Sequence, residues 1–297
     1  MGMLLHGNAL LALAAAVLWG GGDFSGGMGV KHAGGTMGAA LRVILLSHAV
    51  SLAILLAAAW WRGDAFPHGA PLAWGLVAGA TAGIALACFY VALSRGAMGA
   101  SAALSGLLAA AIPAAVSAGA EGSPGLLRLV GFLVAGLAIW LIAAGPNPEA
   151  KAADRGTFWL AVAGGVGFGV YFVALKFAGS AGVIWPLATA RMGSLAVCSV
   201  LLGGMSLKAN VGGAKFWLTP MVVVWALGAV LLDTSGNLLF IAATRAGRLD
   251  VAAVLASLYP ASTILLAAWT LHERPTRRQG LGMAVAAAAV VMITVQL

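Results

Sequence analysis

Along the chain, apolar runs about 20 residues long alternate with short polar stretches, and the pattern occurs twice. The runs fall at roughly 8–28, 36–60, 71–93, 98–118 and 126–144, then at 158–177, 183–203, 217–243, 250–270 and 278–296. Each is long enough for an α-helix to cross the roughly 30 Å hydrocarbon core of a bilayer. An odd number of spans in each set makes the second set enter the membrane from the opposite face. The expected fold is therefore an all-α integral membrane protein of ten transmembrane helices, built as two inverted five-helix repeats. Residues 1–144 form the first repeat, 145–157 a linker and 158–297 the second. Such an architecture sets a site between the repeats near the midplane and exposes it to each side in turn.

The repeat survives a residue-by-residue register test. Leu11, Ala12, Ala14, Val17, Gly20 and Arg42 meet identical residues at Leu160, Ala161, Ala163, Val166, Gly169 and Arg191. Further on, Gly96, Leu104, Pro124 and Gly131 meet Gly247, Leu255, Pro275 and Gly282. Alanine matches carry little weight in so alanine-rich a chain, whereas paired arginines, prolines and glycines carry more. The linker between the halves contains Pro146, Asn147, Pro148, Glu149, Lys151 and Asp154, the residue types of a loop.

Composition sharpens this picture. Apolar residues fill 62% of the 297 positions and charged ones only 8%, against roughly a quarter charged in soluble domains. The 42 glycines suit helices that pack closely in lipid; Gly75, Gly79 and Gly83, and the pair Gly165 and Gly169, read as contact stripes. The net charge of +8 is dispersed among short loops, so it is a matter of orientation and anionic lipid rather than of nucleic acid. Cys88 and Cys198 both fall inside apolar runs and imply neither a disulfide framework nor a metal site. No glycine-lysine phosphate loop, HExxH or GxSxG occurs, which argues against an ATPase, a metalloenzyme or an intramembrane hydrolase. No cofactor is expected.

Several elements are similar to those of the drug/metabolite transporter superfamily in its ten-helix, EamA-type form. They are Leu18-Trp19-Gly20 in the first span, Leu41-Arg42 and Ala190-Arg191 in the second span of each half, Leu258-Tyr259-Pro260 in the ninth, and Leu271-His272-Glu273-Arg274 at its end. The resemblance covers nearly the whole chain. It implies secondary transport of small metabolites in a bacterial inner membrane, with export of amino acids as in the YddG-like branch. One departure is visible: Pro113 lies one helical turn later than the register of Pro260 predicts, and Glu121 sits in Ala-Glu-Gly rather than Glu-Arg.

Ionisable residues inside a membrane are costly and default to function. Asp233 lies mid-span with Asn237 one turn on, on the same face. A carboxylate there pairs with a cation or takes up a proton, which suits proton coupling, an ammonium group, or a purely structural tie. Asp23 follows Gly20-Gly21-Gly22 near the end of the first span; it reads as a site in a glycine-weakened helix or as an interfacial cap. Arg42 and Arg191 read as structural or gating ion-pair partners near opposite faces. Lys176 is expected to snorkel from a span end, and His48 reads as a hydrogen-bonded packing residue.

The aromatic residues Trp19, Phe89, Tyr90, Tyr171, Phe240 and Tyr259, with Trp225 nearby, are candidates to line a cavity among spans one, three, four, six, eight and nine. Trp60, Trp61, Trp74, Trp159, Trp185, Trp217 and Trp269 form an interfacial belt. Pro113 and Pro260 are candidate hinges, since each removes a helical hydrogen bond. The expected partners are an amino acid or related metabolite, membrane lipid and protons. Orientation has two readings. Loops on the side holding the termini carry Arg62, Arg128, Arg245 and Arg248, fewer cations than the opposite loops, so the positive-inside rule places the termini outside. The resemblance implies cytoplasmic termini.

Overall fold

The computed structural model describes residues 2–95, 98–143, 155–208, 219–270 and 276–294. They form helices α1 (Gly2–His32), α2 (Met37–Arg62), α3 (Ala70–Ser94), α4 (Met98–Ala120) and α5 (Leu126–Ala143), followed by α6 (Arg155–Ala178) and a short 3-10 turn at Gly179–Ala181. Then come α7 (Ile184–Lys208), α8 (Pro220–Ala246), α9 (Leu249–Ala256), α10 (Tyr259–Thr270) and α11 (Arg277–Thr294). No strand occurs among the described residues. Seven stretches among them are long and apolar enough to cross a membrane, and two shorter apolar helices lie at Leu104–Ala120 and Leu126–Ile142. Most of the inter-repeat linker, and the Leu271-His272-Glu273-Arg274 element, lie outside the described residues.

Local chemistry explains where the helices begin and end. The Thr36 hydroxyl accepts the Ala39 N–H at 3.1 Å and caps α2. At its other end Gly63 takes φ 69° and donates its N–H to the Ala59 and Trp60 carbonyls. Thr219 caps α8 in the same way as Thr36, and Pro220 occupies the first helical position, where no N–H is needed.

One expectation about backbone continuity is reversed. The glycine run Gly20–Gly22 does not loosen the first span, because α1 runs unbroken from Gly2 to His32. The missing side chains admit neighbours instead. A Cβ on Gly22 would meet the Asp233 backbone nitrogen at 3.2 Å, so α1 and α8 touch at the level of their two aspartates. The ninth span, which carries the candidate hinge Pro260, is interrupted: α9 stops at Ala256, Ser257 and Leu258 form a turn, and α10 restarts at Tyr259. Pro260 lies at the restart, where it leaves a carbonyl one turn earlier without its usual N–H donor. Pro113, by contrast, sits inside an uninterrupted α4.

The main helix pairings are α1 with α8, α3 with α6 and α7, α4 with α6, α2 with α7, and α5 with α11. Along α3 the glycine stripe works as expected. A Cβ on Gly79 would lie 2.8 Å from the Ala190 Cα, and one on Gly83 would lie 2.8 Å from the Ser194 hydroxyl. The tryptophan belt is only partly as expected. Trp60, Trp61 and Trp269 are well exposed, but Trp185 is buried and donates its indole N–H to the Asp64 carbonyl at 3.1 Å. Trp217 lies outside the described residues.

Candidate functional site

Where α1, α3, α6, α7, α8 and α10 converge, the side chains leave a cavity of about 30 Å3. That is room for on the order of two waters, so a larger solute needs the helices to part. The walls are Trp19 and Asp23 of α1, Ala82 and Leu86 of α3, Phe168, Tyr171 and Phe172 of α6, Arg191 of α7, Asp233 and Asn237 of α8, and Tyr259 of α10.

Arg191 organises the polar wall. It is 2% exposed, and each of its three guanidinium nitrogens has a partner. Nη2 donates to the Asp233 carboxylate, Nε donates to the Ser51 hydroxyl at 3.1 Å, and Nη1 donates to His48 Nε2 at 2.9 Å. Because a guanidinium only donates, His48 Nε2 carries the lone pair and the imidazole is neutral. Its remaining proton, on Nδ1, is donated to the Ser194 hydroxyl 2.8 Å away. The Ser51 and Thr234 hydroxyls share a hydrogen bond of 2.7 Å. The far carboxylate oxygen of Asp233 accepts from Asn237 Nδ2 at 2.9 Å, and Asn237 Oδ1 in turn accepts the Tyr171 hydroxyl at 2.5 Å. The chain of bonds thus ties α2, α6, α7 and α8 together.

The aromatic wall is a packed stack. Trp19 lies parallel to Phe172 with ring centroids 5.1 Å apart, and Phe240 backs both at 5.3 and 4.7 Å. Tyr259 reaches across to donate to the Ala102 carbonyl at 3.1 Å. Asp23 differs from every other polar group here. It is half-buried on the cavity wall, and among the described residues it has no hydrogen-bond or ion-pair partner.

Of the residues singled out from the sequence, Trp19, Asp23, Tyr171, Arg191, Asp233, Asn237 and Tyr259 are brought to one cavity. Phe89, Tyr90 and Phe240 are buried behind it rather than lining it. Arg42 is half-buried and does not line the cavity, and among the described residues α4 contributes no lining side chain, whereas α7 does. Phe168, Phe172, Ala82 and Leu86 have no mark in the sequence beyond apolarity. His48 and Ser51, three apart on one face of α2, were the readable trace of the polar network.

A second polar cluster lies where α4 and α6 end and α9 begins. Lys176, near the end of α6, reaches Glu121 at 3.4 Å and donates to the Thr244 carbonyl at 2.7 Å. Arg248 donates to the carbonyls of Glu121 and Gly122, at 3.1 and 2.7 Å, and is paired with buried Asp250 at 2.8 Å. Hydrogen bonding to Asp250 pushes the Arg248 guanidinium above its ordinary pKa. These contacts join the tip of α4 to α6 and to the α8–α9 corner.

Residues 155–295 match the EamA-like transporter family. The EamA-like segment holds α6 to α11, and so supplies Tyr171, Arg191, Asp233, Asn237 and Tyr259. With seven apolar helices of spanning length, the chain is a multi-pass membrane protein. A solved crystal structure, described only as that of a protein, is similar over 96% of this chain and 95% of its own, with a TM-score of 0.70 at 16% identity. That likeness concerns the fold. No curated protein matches the chain.

Proposed function

We propose that the protein is a secondary transporter of small metabolites, working by alternating access around a site shared by its two halves. The observation that carries this is the composition of the cavity: Trp19, Asp23, Ala82 and Leu86 come from the first half, and the remaining walls from the EamA-like second half. Helix pairings support the inverted ten-span reading, because α1 on α8 and α1 on α10 have counterparts in α6 on α3 and α6 on α4. The broken α9–α10 is the kind of discontinuous helix found at transporter sites.

The substrate class is small and amphipathic, since apolar and aromatic walls face a few fixed polar groups. Amino acids, exported from a bacterial cytoplasm, are the first class to test; organic cations held by an intramembrane carboxylate are the second. The test is flux into liposomes containing the purified chain, with labelled amino acids and labelled cationic amines, with and without a proton gradient. Saturable flux of either class supports the reading. Absence of flux of any solute from a folded, reconstituted protein refutes it.

A further inference from the structure

Two carboxylates face the cavity, and their surroundings assign them different work. Asp233 is committed: one oxygen takes Arg191 and the other takes Asn237. Arg191 is equally committed, with its three nitrogens on Asp233, Ser51 and His48. The pair is neutral as a unit, and His48 adds no charge because it accepts from Arg191. That leaves Asp23, a carboxylate on the same cavity with no partner among the described residues. A carboxylate left without a partner between apolar helices is costly as an anion, so it holds a proton or takes a cation, and an arriving cation stabilises its charged form.

We infer that Asp23 is the anchor for the ammonium group of the substrate, and that the site takes primary amines without needing a carboxylate on them. The inference rests on the transporter reading above. Asp23 lies one helical turn beyond Trp19 on the same face of α1, so an ammonium at its carboxylate lies beside the indole, and the rest of the molecule meets Trp19 and Phe172. Ring and carboxylate both favour a cation there. Among the described residues a free α-carboxylate meets no uncommitted cation, because the one cation lining the cavity there is Arg191. An amino acid is thus held by its amino group alone, and its amide or its decarboxylated amine is held at least as well.

The test is equilibrium binding of labelled phenethylamine to the purified full chain, with competition by phenylalaninamide, phenylalanine and phenylacetate. Phenethylamine and phenylalaninamide are expected to compete strongly, phenylalanine no better than the amide, and phenylacetate not at all. Asp23→Asn is expected to weaken phenethylamine binding at least about tenfold, the scale of a lost charged hydrogen bond, with Asp23→Glu restoring part of it. The ligand series needs only the unaltered chain, so it decides even where a variant fails to fold. Phenylalanine binding far more tightly than its amide, or phenethylamine binding unchanged in a folded Asp23→Asn protein, overturns the inference. So does an unaltered chain that binds no amine. If liposomes still show flux of a neutral or anionic solute, the anchor fails and the transporter stands; if they show no flux at all, both fail.

Discussion

Arg191 of α7 and Asp233 of α8 are joined directly, although the arginine is 2% exposed and the aspartate keeps 21% of its side chain open to the cavity. The exposed edge belongs to the acid, and the base is enclosed by Ser51 and His48 of α2. A pair arranged in this way is an internal fixture with one face on the site.

Removing the arginine alone strands three partners at once. Arg191→Met is expected to destabilise the protein by about 3–5 kcal/mol, the usual cost of an orphaned buried charge. Combining it with Asp233→Asn is expected to recover about half of that or more. Thermal unfolding in a fixed detergent checks both. Equal melting temperatures for Arg191→Met and the unaltered chain would falsify the structural role.

The cluster at Glu121 leads to a different kind of outcome. It ties the tip of α4 to Lys176 and Arg248, and is expected to restrict access at the end where α6 finishes. Glu121→Gln is expected to raise, several-fold, the rate at which a thiol reagent reaches a cysteine placed at buried Ala12, in a chain whose own Cys88 and Cys198 are serine. An unchanged rate means the cluster is not what closes that end.

Packing along α3 gives a sharp contrast between two glycines. Gly79→Val drives a side chain into the Ala190 backbone, and is expected to cost about 1–3 kcal/mol or more by overpacking. Gly119→Ala meets nothing within 4 Å, and is expected to stabilise α4 by roughly 0.5–1 kcal/mol. The fraction recovered as a single monodisperse species, with its melting temperature, reads both.

Much of this was legible in the sequence, and for identifiable reasons. Apolar run lengths set the span positions because a bilayer enforces them. The four-residue spacing placed Asn237 beside Asp233, and Trp19 beside Asp23. Other features depend on neighbours that no local pattern reveals. The glycines before Asp23 read as weakness, whereas they are the surface on which α8 and α10 rest. Arg42 and Arg191 match in register, yet of the two it is Arg191 that lines the cavity, and α3 carries no acid where a mirror of Asp233 would fall. The break after Ala256 follows no glycine, and only Pro260 hinted at it. The sequence around Pro113 does not explain why α4 stays whole.

The bonds from Arg191 run to His48 and Ser51 on one side of the linker and to Asp233 on the other. A swing that parted residues 1–144 from residues 158–297 would break the bonds from Arg191 to His48 and Ser51 on every cycle, while Arg191 and Asp233, both in the second segment, stayed paired. A swing that carries α2 along with α7 and α8 leaves it whole. On the alternating-access reading, the piece expected to move as one therefore draws its helices from both sides of the linker.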